Sequence, residues 1–322
     1  MTGKELFSGI INVNKPVGLT SFQVVGKIRK LLGVKKVGHC GTLDPFASGV
    51  LPVCVGKATR VVRYMDGYDK TYRCTAHFGA STDTQDREGK ITGGRMPSKD
   101  ELEQMKANDF ADLRKLFSEL DGDKEQMPPM YSAIKMAGRP LYEYARQGIT
   151  LERLTRQIRI YNCEVHRIAA DEMLMADFSL SCSKGTYIRT ICDELGNDLG
   201  FGAYADALMR TRCGPFSIDS AFSLEDIERL FTEGKVAEFL LPEDIAVAHM
   251  RRFEVSEEEA AHIRMGQQMP LEIFKDRIIS LDSEKESSKP HYCAYYLGQL
   301  LAIVLPDEKE GRKILRIERM LA

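Results

Sequence analysis

Apolar and polar positions in this chain alternate over short runs, and stretches of helical spacing separate them. "GIINVNKP" reads as a short strand ending at Lys15-Pro16, because proline lacks a backbone donor and holds the residue before it extended. In "TSFQVVGKIRKLLG", Val24, Val25, Ile28, Leu31 and Leu32 recur at helical spacing, with Thr20 or Ser21 as cap and Gly33 as stop. Residues 37–55 predict a turn and a strand, residues 57–65 a short helix, and "KTYRCTAHFG" a strand with alternating faces. After a turn-rich stretch at 81–94, "SKDELEQMKANDFADLRKLFSEL" predicts one long helix with acids in its first turn.

The pattern changes at "QMPPMYSAIKMAGRPLYEYARQGI", residues 126–149. Rich in proline, methionine, tyrosine and basic residues, it predicts an exposed, flexible, loop-like insertion built to touch a partner. Strands follow at about 156–168 and 173–182, then the helix "TYIRTICDELGNDLG" and the strand-like "ALMRTRCGPFSI". Consecutive strands with inserted helices predict an α+β fold on a mixed, largely antiparallel sheet. A boundary near 240–252 divides residues 1–250 from 251–322. The second part holds a helical "SEEEAAHIRMG", a polar break "LDSEKESSKP", and the strands "HYCAYYLGQLLAIVLP" and "RKILRIERM", enough for a small β-rich module.

Composition narrows the class. At 43% hydrophobic and 29% charged residues, the chain is ordinary for a globular protein. The first residues show no signal-peptide pattern, and no apolar run approaches the ~18 residues of a membrane span, so a cytoplasmic location is expected. The eight cysteines include no C-x-x-C pair and several sit in apolar contexts. They read as buried packing residues in a reducing compartment, with no disulfide framework and no structural metal. Net charge is −2, yet residues 1–75 carry twelve Lys/Arg against four acids. Such a local cationic region fits a polyanionic partner or a solvated face.

"VGHCGTLDPFASGVLPVCVG", residues 37–56, concentrates four glycines, two prolines and one acid, Asp44. It lacks both glycine-rich phosphate motifs, and a strand rather than a helix follows Gly49. His39 and Cys40 are adjacent in an extended segment and point to opposite faces, so they form no dyad. "DTQDREG" misses the calcium-loop spacing. Asp44-Pro45 is either a turn initiator or a carboxylate presented by a turn.

These segments together resemble the TruB family of tRNA pseudouridine synthases. "GHCGTLDPFASGVLPVCVGKATR" is similar to the family's central motif and "NVNKPVGLTSF", with Lys15, to its N-terminal motif. "DKTYRCTAHFGASTDTQDREG" resembles its tyrosine strand and acidic turn, and residues 126–149 its thumb-like RNA-binding insertion. "SCSKGTYIRTICDELG" and "LMRTRCGPF" match two late motifs, so the resemblance runs in order over residues 9–216. The tail is similar in size and position to a PUA-type RNA-binding domain. Cys40 stands where threonine or another small residue is familiar, and Phe46 is bulkier than many alternatives; neither removes a group the reaction needs.

The resemblance implies that Asp44 is the catalytic carboxylate, Tyr72 the aromatic stacked on the target base, and Arg189 the partner of Asp44. It places His39, Tyr187 and Leu208 in the substrate pocket, with Asp86, Lys15 and Lys135 as further substrate-binding residues. It implies conversion of the T-loop uridine of tRNA, position 55, to pseudouridine by a monomer without cofactor, metal or guide RNA. That chemistry breaks an N-glycosidic bond, turns the uracil and rejoins it through carbon. It needs one ionised carboxylate near the anomeric carbon, acting by covalent attack or by deprotonating the sugar. An arginine beside that carboxylate keeps it ionised. An aromatic face stacks the base, at about 1–3 kcal/mol. Lys135, Arg139, Arg146 and the cationic first segment offset the cost of flipping the base out through phosphate contacts. The rival readings are a guide-RNA-dependent synthase, which needs no long grip of its own, and a non-catalytic RNA-binding or RNA-folding protein.

Overall fold

The computed structural model describes residues 7–279 and 290–321, so most of the polar break at 281–290 lies outside the described residues. The chain opens with β1 (Gly9–Lys15) and α1 (Ser21–Leu32). Thr20 and Gln23 close a capping box at the start of α1, and Gly33, at φ 64°, ends it. β2 (Val37–His39), β3 (Ser48–Val55), a 3-10 turn and α2 (Val62–Met65) lead to β4 (Lys70–Phe78) and the small hairpin β5 (Ser81–Thr82)–β6 (Ile91–Gly93).

The long helix expected over 98–120 is two: α3 (Lys99–Ala107) and α4 (Ala111–Ser118). Asn108 ends the first, and Asp109 and Phe110 adopt left-handed φ of 52° and 56°. Asn and Asp tolerate that region, and the break turns Leu102, Leu113 and Phe117 into one core. β7 (Gly122–Gln126) follows, then the hairpin β8 (Lys135–Met136)–β9 (Arg139–Pro140) and α5 (Leu141–Ala145). The insertion is thus half-buried, contrary to the exposed loop expected. Its prolines Pro128 and Pro129, together with Ser132 and Leu141, are buried, and only the hairpin tip and residues 146–149 are consistently exposed.

With α6 (Ile188–Asp198) between them, β10 (Arg156–Ala170), β11 (Leu174–Cys182), β12 (Ala203–Cys213) and β13 (Phe216–Ser217) complete a nine-stranded sheet ordered β1-β3-β12-β4-β11-β10-β7, with β2 added beside β3 and β13 beside β12. Its ladders are antiparallel apart from a short parallel junction of β12 with β3 at Ser48 and Gly49. α3, α4 and α6 cover one face, where Phe117 packs on Phe178 with ring centroids 5.0 Å apart. Burying each such ring contributes about 2–3 kcal/mol. α1, α7 (Leu224–Thr232) and α8 (Val236–Phe239) cover β1 and β3.

β14 (Arg251–Glu254), α9 (Glu257–Arg264), β15 (Met269–Pro270), β16 (Tyr292–Tyr296), β17 (Gln299–Lys309) and β18 (Arg312–Met320) form a separate five-stranded sheet. It has its own apolar cluster around Phe253 and Phe274. A second cluster joins Cys293, Tyr295 and Ile303 to Cys54, Tyr64 and Met65 of the first part. Tyr64 Oη donates to Glu318 Oε2 at 2.6 Å across the same seam. No described helix is long and apolar enough to cross a membrane.

Candidate active site

The Asp44 turn is held from beneath by the start of α1. Ser21 Oγ accepts from Leu43 N at 2.9 Å and donates to Leu43 O at 3.1 Å. Gly18 N donates to Pro45 O at 2.8 Å. Lys15 Nζ, wholly buried at the end of β1, donates to Pro16 O, Leu19 O and Pro45 O at 2.9, 2.7 and 3.4 Å. Burial lowers its pKa to about 8, with Asp44 opposing the shift. Ala47 N closes the turn on Asp44 O at 3.2 Å, with Pro45 at its second position as a type I or II turn prefers. The bland and the chemical readings of Asp-Pro are therefore the same object: a turn that presents a carboxylate.

Arg189 is the second residue of α6, and the start of that helix is located by Gln126. Gln126 Oε1 accepts from Tyr187 N at 2.8 Å while its Nε2 donates to Tyr187 O at 3.0 Å. From there the guanidinium reaches oxygens on three other segments. Its Nε lies 2.9 Å from Asp44 Oδ2 and its Nη1 3.6 Å from Asp86 Oδ2. Nη1 also donates to Thr84 O at 2.5 Å and Nη2 to Tyr131 O at 2.8 Å. Asp86 is fixed in turn by Thr84 Oγ1 at 2.7 Å and Glu88 N at 3.0 Å. Burial raises the Asp86 pKa, opposed by the Thr84 hydroxyl and Arg189. One buried cation thus serves two carboxylates, of which only Asp44 is substantially open to solvent.

Tyr72 projects from β4 directly opposite Arg210 on β12. Cross-strand partners share a face of the sheet, so the Arg210 guanidinium and the phenol stand on the same side. Burial pushes that phenol up to about 12, with Arg210 opposing. Arg210 is 1% exposed; its Nε donates to Val50 O at 2.7 Å and its Nη2 to Gly41 O at 2.9 Å. It ties the tyrosine strand to the stretch that carries Asp44. The sequence reading missed this residue, although a cation two places after Leu208 in a strand shares that leucine's inward face.

The other candidates divide. Tyr187 lies close enough for its phenol to feel the charges of Asp44 and Arg189, and burial raises its pKa. Leu208 is buried in the same apolar cluster as Leu43, with Tyr72 packed against that cluster. His39 sits on β2 with Nδ1 buried and unbonded, and burial followed by the Arg210 charge lowers its pKa. Lys135 is exposed on β8, and no contact brings it to Asp44. Among the described residues no three His, Cys, Asp or Glu side chains converge as a metal site. All eight cysteines are free, and seven are buried.

Comparisons with known proteins show the family and the fold. Residues 29–188 match the profile "TruB family pseudouridylate synthase (N terminal domain)", and residues 189–248 match "tRNA pseudouridylate synthase B C-terminal domain". The chain is 40% identical to tRNA pseudouridine synthase B of Geobacillus kaustophilus over 273 residues, covering 84% of this chain and 93% of that protein. It is 39% identical to the protein of that name from Clostridium tetani over 310 residues, 96% and 99% of the two chains. Among solved structures, one titled as a Cbf5-Nop10-Gar1 complex superposes with a TM-score of 0.71 at 26% identity, covering 98% of this chain and 85% of the other. A structure of an H/ACA RNP bound to a substrate RNA shares the fold at 24% identity and a TM-score of 0.69, covering 98% of this chain and 85% of that one. With family profiles over most of its length and such relatives across nearly all of it, the chain belongs to the TruB family of pseudouridylate synthases, which are isomerases.

Proposed function

We propose that this protein converts the T-loop uridine of tRNA, position 55, to pseudouridine, with Asp44 as the catalytic carboxylate. The observation that carries the reading is Asp44 itself: one oxygen held 2.9 Å from a buried guanidinium, and 35% of the side chain left open. In the reaction the N1–C1′ bond breaks, the uracil turns, and C5 bonds to C1′. The C5 proton is lost and N1 ends protonated. Asp44 acts at the ribose, by attack on C1′ or by taking a proton from C2′, and Arg189 positions it through their 2.9 Å ion pair. Tyr72 supplies the stacking face, and with its pKa pushed up to about 12 it stays a neutral phenol at pH 7. Tyr187, Leu208 and His39 line the space for the flipped nucleotide, and Asp86 fixes Arg189 from the far side.

Two surfaces support an RNA that extends beyond the target base. No acid occurs between residues 6 and 43, a stretch with five Lys/Arg besides the buried Lys15. The exposed Lys135, Arg139 and Arg146 stand on the insertion next to the site. We assign residues 1–250 to catalysis and 251–322 to a PUA-like RNA-binding module. The reading is tested with an unmodified tRNA transcript carrying C5-tritiated uridine, without metal, nucleotide or guide RNA. Tritium release with the product mapped to the T-loop is expected; no release, or a product elsewhere, refutes it.

A further inference from the structure

One hydroxyl at the edge of the site completes no hydrogen bond among the described residues. Ser132 is 5% exposed, and its Oγ has no hydrogen-bond partner among the described residues. The backbone holds it there from both sides. Ser132 N donates to Met130 O at 3.0 Å, and Tyr142 N donates to Ser132 O at 3.1 Å. One residue earlier, Tyr131 O accepts from Arg189 Nη2 at 2.8 Å, so this serine is clamped beside the guanidinium that pairs with Asp44. The Tyr187 phenol lies close enough to Ser132 to feel its hydroxyl as well as Asp44 and Arg189, while Ser132 Oγ falls short of hydrogen-bond geometry with any described residue.

Buried polar atoms in proteins are almost always partnered, and a persistent exception calls for a reason. Alanine would fill this position without the penalty, because the oxygen completes no hydrogen bond among the described residues. A partner that arrives with the substrate supplies the reason. We propose that Ser132 Oγ, together with the Tyr187 hydroxyl, holds one uncharged oxygen of the target nucleotide, a ribose hydroxyl or a uracil carbonyl. The inference rests on the uridine-isomerase reading and adds a residue of the 126–149 insertion to the binding site. Charge favours a neutral oxygen. The Asp44 carboxylate faces the same phenol, so a phosphate would meet a like charge, and Arg189 is already surrounded by Asp44, Asp86, Thr84 O and Tyr131 O.

The test compares wild type, Ser132→Ala, Tyr187→Phe and the double variant, using thermal midpoints and tritium release from tRNA transcript. Ser132→Ala is expected to melt at or above the wild-type midpoint, since the fold loses no bond. Its kcat/KM is expected to fall by about tenfold, the loss of one hydrogen bond to substrate. In the Tyr187→Phe background the same change should cost clearly less, because both hydroxyls hold one atom. A transcript with 2′-deoxyuridine at the target separates the two sources. If the Ser132→Ala effect disappears, the oxygen is the 2′-hydroxyl; if it persists, the oxygen is on uracil. Unchanged kcat/KM overturns the proposal. So does a lowered midpoint, which would mean that the fold itself uses the hydroxyl. A wild type that releases no tritium overturns the functional reading instead.

Discussion

Arg189 Nε meets Asp44 Oδ2 at 2.9 Å, with the arginine side chain 3% exposed and the aspartate side chain 35% exposed. The cation is immobilised and the anion keeps a free side. An ion pair buried on both sides would stabilise little and react with nothing. Here one partner is locked while the other stays reachable. Asp86 completes the balance by giving the same guanidinium a second carboxylate at 3.6 Å.

Asp44→Asn keeps the size of the side chain and removes its charge. Turnover is expected to fall on the order of 10³-fold or more, as for loss of an essential catalytic group. RNA affinity should stay within a few-fold, because a carboxylate offers a phosphate no favourable charge to lose. Tritium release and filter binding on the same transcript separate the two; undiminished turnover removes Asp44 from the mechanism.

Arg189→Lys preserves the charge and loses the fork. A single ammonium cannot serve Asp44, Thr84 O and Tyr131 O together. The carbonyls left unpaired should cost about 1–3 kcal/mol, measured by denaturant titration. Arg189→Ala strands two carboxylates and should cost more, about 3–5 kcal/mol.

Gly49 has φ +103°, and a Cβ there would stand 2.2 Å from Arg210 O and 2.9 Å from Arg210 N. The missing side chain is what lets β12 pair with β3 at this point. Gly49→Ala is therefore expected to destabilise by about 3 kcal/mol or more, through strain and backbone displacement together. A melting midpoint equal to wild type would show that the junction relaxes freely.

Lys15 carries a pH signature. Its pKa in the folded protein lies near 8 against a usual 10.5, because burial disfavours the ammonium. Between those values the unfolded chain binds more protons than the folded one, so stability rises with pH across that window. Wild type should gain on Lys15→Met between about pH 8 and 10.5, by at most ~1.4 kcal/mol per pH unit. Parallel stability curves for the two proteins would contradict the shift.

Lys135, Arg139 and Arg146 are exposed, and none is paired with a carboxylate among the described residues. If they neutralise RNA phosphates, replacing all three by glutamine flattens the plot of log affinity against log salt. The slope should change by about 2, near 0.7 for each contact on single-stranded RNA. An unchanged slope would place the phosphate contacts elsewhere.

Much of the local architecture was legible in order of residues. The cap at Thr20 or Ser21, the stop at Gly33, the strand ended by Lys15-Pro16 and the alternating strand β4 all arise from contacts within a few positions. The two misreadings came from longer-range forces. Helical periodicity continues through 98–120, but packing Leu102 and Phe117 into one core bends the chain at Asp109 and Phe110. The polar look of 126–149 hid buried prolines and a carbonyl that Arg189 uses.

By itself the sequence determined the α+β class, most elements, and the motif that presents Asp44, because each depends on backbone preference and local spacing. The tertiary structure decided which groups meet that carboxylate. Arg189, Asp86 and the Tyr131 carbonyl come from separate segments. Arg210 bonds Gly41 O and stands opposite Tyr72 only because β12 lies between β3 and β4. Convergence of this kind follows the path of the chain through space, which residue order does not record. The unpaired hydroxyl of Ser132 belongs to the same category, since a missing partner can be seen only after every neighbour has been placed.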